Sequence, residues 1–210
     1  MDLKKKQFKT EFAGQPLSLE VSTLAHQANG AVLGKYGGNT VLVTAVMGTE
    51  DKDSDYFPLS VDYEERFYAA GKILGSRFVR REGRPGEEAI LSGRMIDRTV
   101  RPLFDHRLRR EVQLVVTILE IDGESDLEFL TLMTASTALA ISNIPWNGPV
   151  AGVKMFFDGQ KLTFNAKLSD IKAVWPAEKG FLSFVSGTAE KINMIELEGN
   201  EADEQEVLKG

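Results

Sequence analysis

The sequence predicts an α+β fold of mixed sheets packed with helices, and three observations predict it. Apolar residues alternate with polar ones in short runs, glycine-rich turns join neighbouring runs, and the period changes to helical in two places, each preceded by several strands. With 210 residues and 42% hydrophobic content, the chain can bury a sizeable core, and this composition argues against disorder.

The elements follow in order. Phe8, Thr10 and Phe12 alternate with polar residues, as do Leu17, Leu19 and Val21 after the turn Gly14-Gln15-Pro16, which gives a hairpin. Residues 31–36 and 40–47 are β-branched or apolar runs separated by Gly37-Gly38-Asn39, residues that tolerate positive φ, so a second hairpin is expected. Residues 57–61 add a strand. Residues 86–101 turn helical, and Pro102 closes that helix. Residues 112–121 form a strongly β-branched strand, expected to be buried on both faces.

Ser125 and Glu128 stand in a capping-box relation ahead of a helix over residues 129–141. Its threonine, serine and alanine content suits close packing on a sheet. Residues 143–149 break it. Residues 150–157 and 161–164 flank Asp158-Gly159, a strong hairpin signal, and residues 181–186 and 192–197 supply two further strands. The expected organisation is one domain over residues 1–200, followed at 201–210 by the start of a truncated helical linker whose apolar face has not yet developed.

Cysteine is absent, which excludes disulfides, thiolate chemistry and cysteine metal sites. Lys4, Lys5 and Lys6 are followed by no apolar stretch, and no run reaches membrane-spanning length, so a cytoplasmic location is expected.

Charge is unevenly distributed. Ten of the eleven arginines lie between Arg77 and Arg110, a window without lysine and with a net charge of +5, although the whole chain carries −6. Guanidinium meets two phosphate oxygens at once whereas ammonium is a point charge, so this segregation points to oriented recognition of an anion. The acidic remainder argues against indiscriminate coating of nucleic acid, and screening over about 8 Å lets a local cluster act alone.

Within that window, residues 76–85 read as a loop, bounded and interrupted by Gly75, Gly83, Pro85 and Gly86. Phe78 beside Arg80 and Arg81 combines an aromatic face with cations, the pairing that holds single-stranded nucleic acid. On the following helix Arg94, Arg98 and Arg101 fall at i, i+4 and i+7, one face within about two turns. Like charges so placed repel unless acids or an anion intervene. A phosphate or other anion site and an internal ion-pair network with Asp97 and Glu88 both remain open.

The run Tyr56-Phe57-Pro58-Leu59-Ser60-Val61-Asp62-Tyr63-Glu64-Glu65-Arg66, with Tyr68-Ala69-Ala70-Gly71-Lys72-Ile73 and Arg80-Arg81-Glu82-Gly83-Arg84-Pro85, resembles the first half of the core of bacterial polynucleotide phosphorylases. Arg94-Met95-Ile96-Asp97-Arg98, Arg101-Pro102-Leu103-Phe104 and Ile144-Pro145-Trp146-Asn147-Gly148-Pro149 extend the resemblance in the same order. It implies a ribonuclease-PH-like domain of the ribosomal protein S5 domain 2-like type. It further implies a homotrimeric ring around a channel for single-stranded RNA, and 3′ to 5′ phosphorolysis with inorganic phosphate as co-substrate and Mg2+ or Mn2+ held outside this segment. RNA-degradation partners, an endoribonuclease or a helicase, are also implied.

By the same resemblance Phe78, Arg80, Arg81 and Arg84 contact RNA in the channel, with Val79 standing where the family carries a second aromatic. Thr99 stands where the family usually has proline. The turn corresponding to the family's phosphate cradle reads Gly123-Glu124-Ser125-Asp126, which is acidic, and Thr163 and Asn165 stand where metal-binding aspartates are expected. The implication is a segment without catalytic or metal-binding residues of its own, which guides RNA and builds the ring. A silent RNA-binding ring subunit and a stand-alone ribonuclease PH are the rival readings. His26 is expected to be structural and His106 to lie near RNA; Trp146 and Trp175 are expected to pack in the core or an interface.

Overall fold

The computed structural model describes residues 3–73, 85–176 and 179–209. Among these residues, ten strands and four α-helices build two sheets around one buried helix. The first sheet has six strands in the order β1-β2-β3-β4-β6-β5: β1 Lys6–Phe12, β2 Gln15–Val21, β3 Gly30–Tyr36, β4 Asn39–Asp51, β6 Arg110–Glu120 and β5 Leu59–Glu64. The second has four, in the order β10-β9-β7-β8: β10 Ile192–Asn200, β9 Gly180–Gly187, β7 Ala151–Phe157 and β8 Leu162–Phe164.

Both expected hairpins form, β1 on β2 and β3 on β4, and β7 pairs with β8 across Asp158-Gly159. All neighbours are antiparallel except β5 and β6. A parallel pair requires a crossover, and α1 (Glu87–Val100) supplies it, packing on β5. Glu87 and Glu88 sit in its first turn and Arg98 in its last, complementing the helix dipole. Ala89, Gly93, Ile96 and Val100 form its buried stripe. A 3-10 turn, Arg101–Leu103, carries Pro102 and ends it.

Strand β6 corrects an expectation. Val112, Leu114, Val116 and Ile118 are fully buried, whereas the alternate residues are exposed or half-buried, so β6 has one core face. Its β-branched content reflects a central position rather than burial on both sides.

Helix α2 (Leu127–Ala140) is the centre of the domain. Nine of its fourteen residues are buried, all round the helix, because β3 and β4 pack on it from the first sheet and β7 from the second. Glycine permits this closeness. A Cβ at Gly34 would overlap the Thr134 hydroxyl, and one at Gly152 would meet Leu132 Cδ2 at 2.7 Å. The capping-box expectation is also corrected: the N-cap is Asp126, whose Oδ1 accepts the Phe129 N–H at 2.6 Å. Ser125 instead faces Asp122, with its hydroxyl 2.6 Å from Asp122 Oδ2.

A short helix that periodicity did not reveal, α3 (Leu168–Val174), follows β8, and α4 (Glu204–Lys209) forms in the charged C-terminal segment. Trp146 donates to the Val100 carbonyl at 3.1 Å and Trp175 packs edge-on against Phe156, so both contribute to packing. His26 is exposed in the turn before β3.

Candidate functional site

Two regions carry the chemistry anticipated above. One is the basic face of α1. Phe78, Arg80, Arg81 and Arg84 lie outside the described residues, so the basic face is described from Pro85 onward.

Arg94, Arg98 and Arg101 do share a face, and with Asp97, Pro102 and His106 they line an open hollow of about 380 Å³. They are not equivalent. Arg101 is held internally: its guanidinium donates to both oxygens of Asp97, at 2.6 and 3.0 Å, and to the carbonyls of Leu59 and Phe57, both at 3.2 Å. The fork on Asp97 orients the guanidinium at the end of α1, and the two carbonyl bonds fix that end to the start of β5.

Arg98 reaches across to the second sheet, where Nη1 lies 2.7 Å from Glu196 Oε1 in a pair about half exposed. Arg94 is exposed and makes no hydrogen bond or ion pair among the described residues. The helical spacing therefore gave the face correctly and allowed the i,i+4 pair of Arg101 with Asp97, while the Glu196 partner of Arg98 and the carbonyls that Arg101 reaches come from elements remote in sequence.

Between these arginines Thr99 is fully buried. Its hydroxyl lies 3.1 Å from Ser186 Oγ, and its carbonyl accepts Asn193 Nδ2 at 2.7 Å. It bonds α1 to β9 and β10.

The second region is the N-terminus of α2, the place of the phosphate cradle in the resemblance. It is closed by side chains of this chain. Asp122 accepts the N–H groups of Gly38, Glu124 and Ser125, each at 2.8 Å. Burial pushes its pKa up, but these N–H donors and the Ser125 hydroxyl outweigh it and the net direction is down. Glu124 Oε2 accepts the Ser169 hydroxyl at 2.6 Å, which lowers its pKa.

Asp126, 8% exposed, caps the helix with one oxygen and meets Lys154 Nζ with the other at 2.7 Å. The same ammonium lies 2.6 Å from Glu128 Oε2. Burial alone would lower the Lys154 pKa, yet the two carboxylates reverse the direction and raise it.

Asn165 completes the cluster. It is 2% exposed, at φ 43°, and its Oδ1 accepts the Lys154 N–H at 3.0 Å. Its carboxamide lies beside the buried hydroxyl of Tyr36, whose pKa burial raises. Lys154 was not anticipated. The signal was present: a lone lysine in the apolar run 150–157 must bury its stem and find a carboxylate.

A divalent ion does not fit these residues. Asp126 and Glu128 already share an ammonium, and the Asn165 oxygen is committed to the backbone of β7. Among the described residues no group of three or more His, Cys, Asp or Glu side chains converges as a metal site would require. No helix among them is long and apolar enough to cross a membrane.

The fold and these two regions define an α+β domain with an arginine-bearing face set apart from a helix terminus sealed by its own ion pairs. The family model described as 3′ exoribonuclease family, domain 1, matches residues 13–145, and the chain belongs to that family. It is 44% identical over 209 residues to the polyribonucleotide nucleotidyltransferase of Exiguobacterium sibiricum, covering 100% of this chain and 28% of that protein. The polyribonucleotide nucleotidyltransferase of Staphylococcus epidermidis is 44% identical over 210 residues, covering 100% of this chain and 29% of its own length. The chain thus spans less than a third of the curated relatives it matches. The crystal structure of rice (Oryza sativa) Rrp46 shares the fold, with a TM-score of 0.66 at 9% identity over 98% of this chain and 84% of that one.

Proposed function

We propose that this chain is the first ribonuclease-PH-like core domain of a polyribonucleotide nucleotidyltransferase, and that it guides single-stranded RNA and builds a ring while the chemistry is done elsewhere in the enzyme. The observation that carries this reading is the match along the whole chain to proteins of that name, joined to an α2 terminus already occupied by the Asp126 and Glu128 carboxylates and their shared Lys154 ammonium. In the complete enzyme, inorganic phosphate attacks the 3′-terminal phosphodiester. A nucleoside diphosphate leaves and the RNA, one nucleotide shorter, keeps a 3′ hydroxyl.

The residues at the α2 terminus supply neither an anion cradle nor a metal site, so Mg2+ or Mn2+ and the attacking phosphate are assigned outside this chain. Arg80 and Arg81, with Phe78 and Arg84, are assigned to grip RNA. Arg94, with Arg98 and His106 beside it, offers a subsidiary anion contact on the open hollow; Arg101 holds that face in shape. A homotrimer, RNA-degradation partners of the endoribonuclease or helicase class, and a cytoplasmic location belong to the same reading.

The test is nucleoside diphosphate release from labelled oligoadenylate in phosphate and magnesium, comparing folded protein of residues 1–210 with the full-length enzyme. Release from the full-length enzyme alone supports the reading. Phosphate-dependent release from residues 1–210 would place a working site in this domain and reject it.

A further inference from the structure

Strand β1 is the outer strand of the first sheet, and all seven of its residues are exposed. Ala13 and Gly14, at φ 50° and 74°, form the two-residue turn that folds it onto β2, with Phe12 opposite Gln15. The direction of its backbone groups follows from the far side of β2. There the Pro16 carbonyl accepts the Gly37 N–H at 3.2 Å, so residue 16 points to β3 and its neighbours Gln15 and Leu17 point to β1. Lys6, Phe8, Thr10 and Phe12 therefore exchange hydrogen bonds with β2, and the N–H and C=O groups of Gln7, Lys9 and Glu11 point out of the sheet. Among the described residues these outward groups have no partner.

The side chains are as open. Phe8 is 64% exposed and, among the described residues, makes no ring contact, and neither Lys9 nor Glu11 has an ion pair there. Phe12 stacks on Phe129 at 4.9 Å with part of its ring still in water. The opposite edge of the same sheet is different. On β5 the Pro58 carbonyl turns to β6, which aims those of Phe57 and Leu59 outward, and both accept from Arg101. In the second sheet, edge strand β8 has only three residues, and β10 carries Glu196 and Glu198, which would repel their own copies.

A lysine on an edge strand ordinarily deters pairing. In β1 the deterrent has its own answer two residues away. When two copies of β1 run antiparallel, outward-pointing residues must meet each other, and Lys9 opposite Glu11 of the second copy meets that condition twice over. The same register places Phe8 opposite Phe12 and Thr10 opposite itself on a two-fold axis. These are the narrow, non-hydrogen-bonded positions, where facing side chains lie closest. Sliding the strands one step in either direction sets Lys9 against Lys9 or Glu11 against Glu11.

We infer that β1 is a two-fold docking edge for a second copy of this chain, which joins the two first sheets into one continuous sheet with six strands from each copy. This goes beyond the RNA-guiding role proposed above and does not depend on it. One strand edge buries less than the roughly 800 Å² per partner of a stable interface, so association through β1 is weak and concentration-dependent. An isologous contact closes on itself and leaves the surfaces that build a ring free.

The test places a single cysteine in β1 of the full-length protein and equilibrates it in a glutathione redox buffer over a range of protein concentrations. Linked peptides are identified by mass spectrometry, and a link between two copies of one residue is necessarily intermolecular. Thr10→Cys should link position 10 to position 10, because facing residues of this type lie about 4.5 Å apart between Cα atoms, within disulfide reach. Phe8→Cys should not link to itself, since the two copies of position 8 are about 13 Å apart along the strands in this register. Adding Lys9→Glu to Thr10→Cys sets like charges opposite each other twice and should lower the linkage about ten-fold. Adding Glu11→Lys as well should restore it.

Restoration by the charge exchange would carry the inference, because a variant that had merely misfolded would not recover. Absence of a link at position 10, or linkage at position 8 as extensive as at position 10, would overturn it. Linkage at position 10 that Lys9→Glu leaves unchanged would overturn it too.

Discussion

The ammonium of Lys154 on β7 and the carboxylate of Asp126 at the head of α2 lie 2.7 Å apart, with side-chain exposures of 20% and 5%. This pair joins the second sheet to the central helix. Lys154→Met keeps the apolar stem and leaves the Asp126 charge buried without its counter-ion, so the domain should lose about 3–5 kcal/mol. Urea unfolding measures it, and adding Asp126→Asn should recover part of the loss. A cost below about 1 kcal/mol would mean that solvent carries the Asp126 charge.

The pH dependence of that difference has a definite sign. The folded-state pKa of Lys154 is raised, so its contribution is complete below the unfolded lysine value of 10.5 and is lost as pH rises through the folded value. The stability gap between wild type and Lys154→Met should be flat through neutrality and narrow only in strong alkali. Asp122 behaves oppositely: its pKa is lowered, so its contribution is present above the unfolded value of 3.8 and disappears as pH falls through the folded value. Acid unfolding of Asp122→Asn should therefore show a shallower pH dependence than wild type.

Arg101 and Arg94 should separate stability from anion binding. Arg101→Lys cannot reproduce two carboxylate and two carbonyl contacts, and should cost about 1–3 kcal/mol. Arg94→Ala should change stability by less than about 0.5 kcal/mol while lowering affinity for phosphate or citrate in a calorimetric titration. An unchanged titration would remove Arg94 from the anion site.

Thr99→Val removes one buried hydroxyl and leaves Ser186 with a weakened network, so a loss of about 1–2 kcal/mol is expected from thermal unfolding. The side chain is fully buried between α1 and the second sheet, which gives this position its sensitivity.

Thr163→Asp combined with Asn165→Asp should leave residues 1–210 without phosphorolysis, read as nucleoside diphosphate release. New carboxylates would still face an α2 terminus occupied by Asp126, Glu128 and Lys154. Activity in this variant would show that the ion pairs do not seal the site.

Much of this architecture was legible locally. Gly37-Gly38 and Asp158-Gly159 announced their hairpins because turn chemistry acts over a few residues, and Pro102 marked the end of α1 for the same reason. The face shared by Arg94, Arg98 and Arg101 followed from helical spacing. What escaped depends on contacts distant in sequence: the Glu196 partner of Arg98 lies 98 residues away, and the Asp126 partner of Lys154 lies on another element. Ser125 and Asp126 are both good caps by type, and the competing claim of Asp122 on Ser125 decided between them. Helix α3 is seven residues long with Ile171 as its buried residue, too short to show a period.

The seats of α2 at Gly34 and Gly152 have a consequence for how this domain can change over generations. At both positions bare backbone packs against side chains, those of Thr134 and Leu130 at Gly34 and those of Leu132 and Phe184 at Gly152; there is no smaller residue to choose, and the next larger one displaces a neighbour. The side chains around them can be exchanged in small increments of volume, each compensated by a neighbour. The gap between the sheets drifts less freely: its first increment is a whole methyl group, and a facing side chain on α2 or β9 has to give way before that increment is accepted.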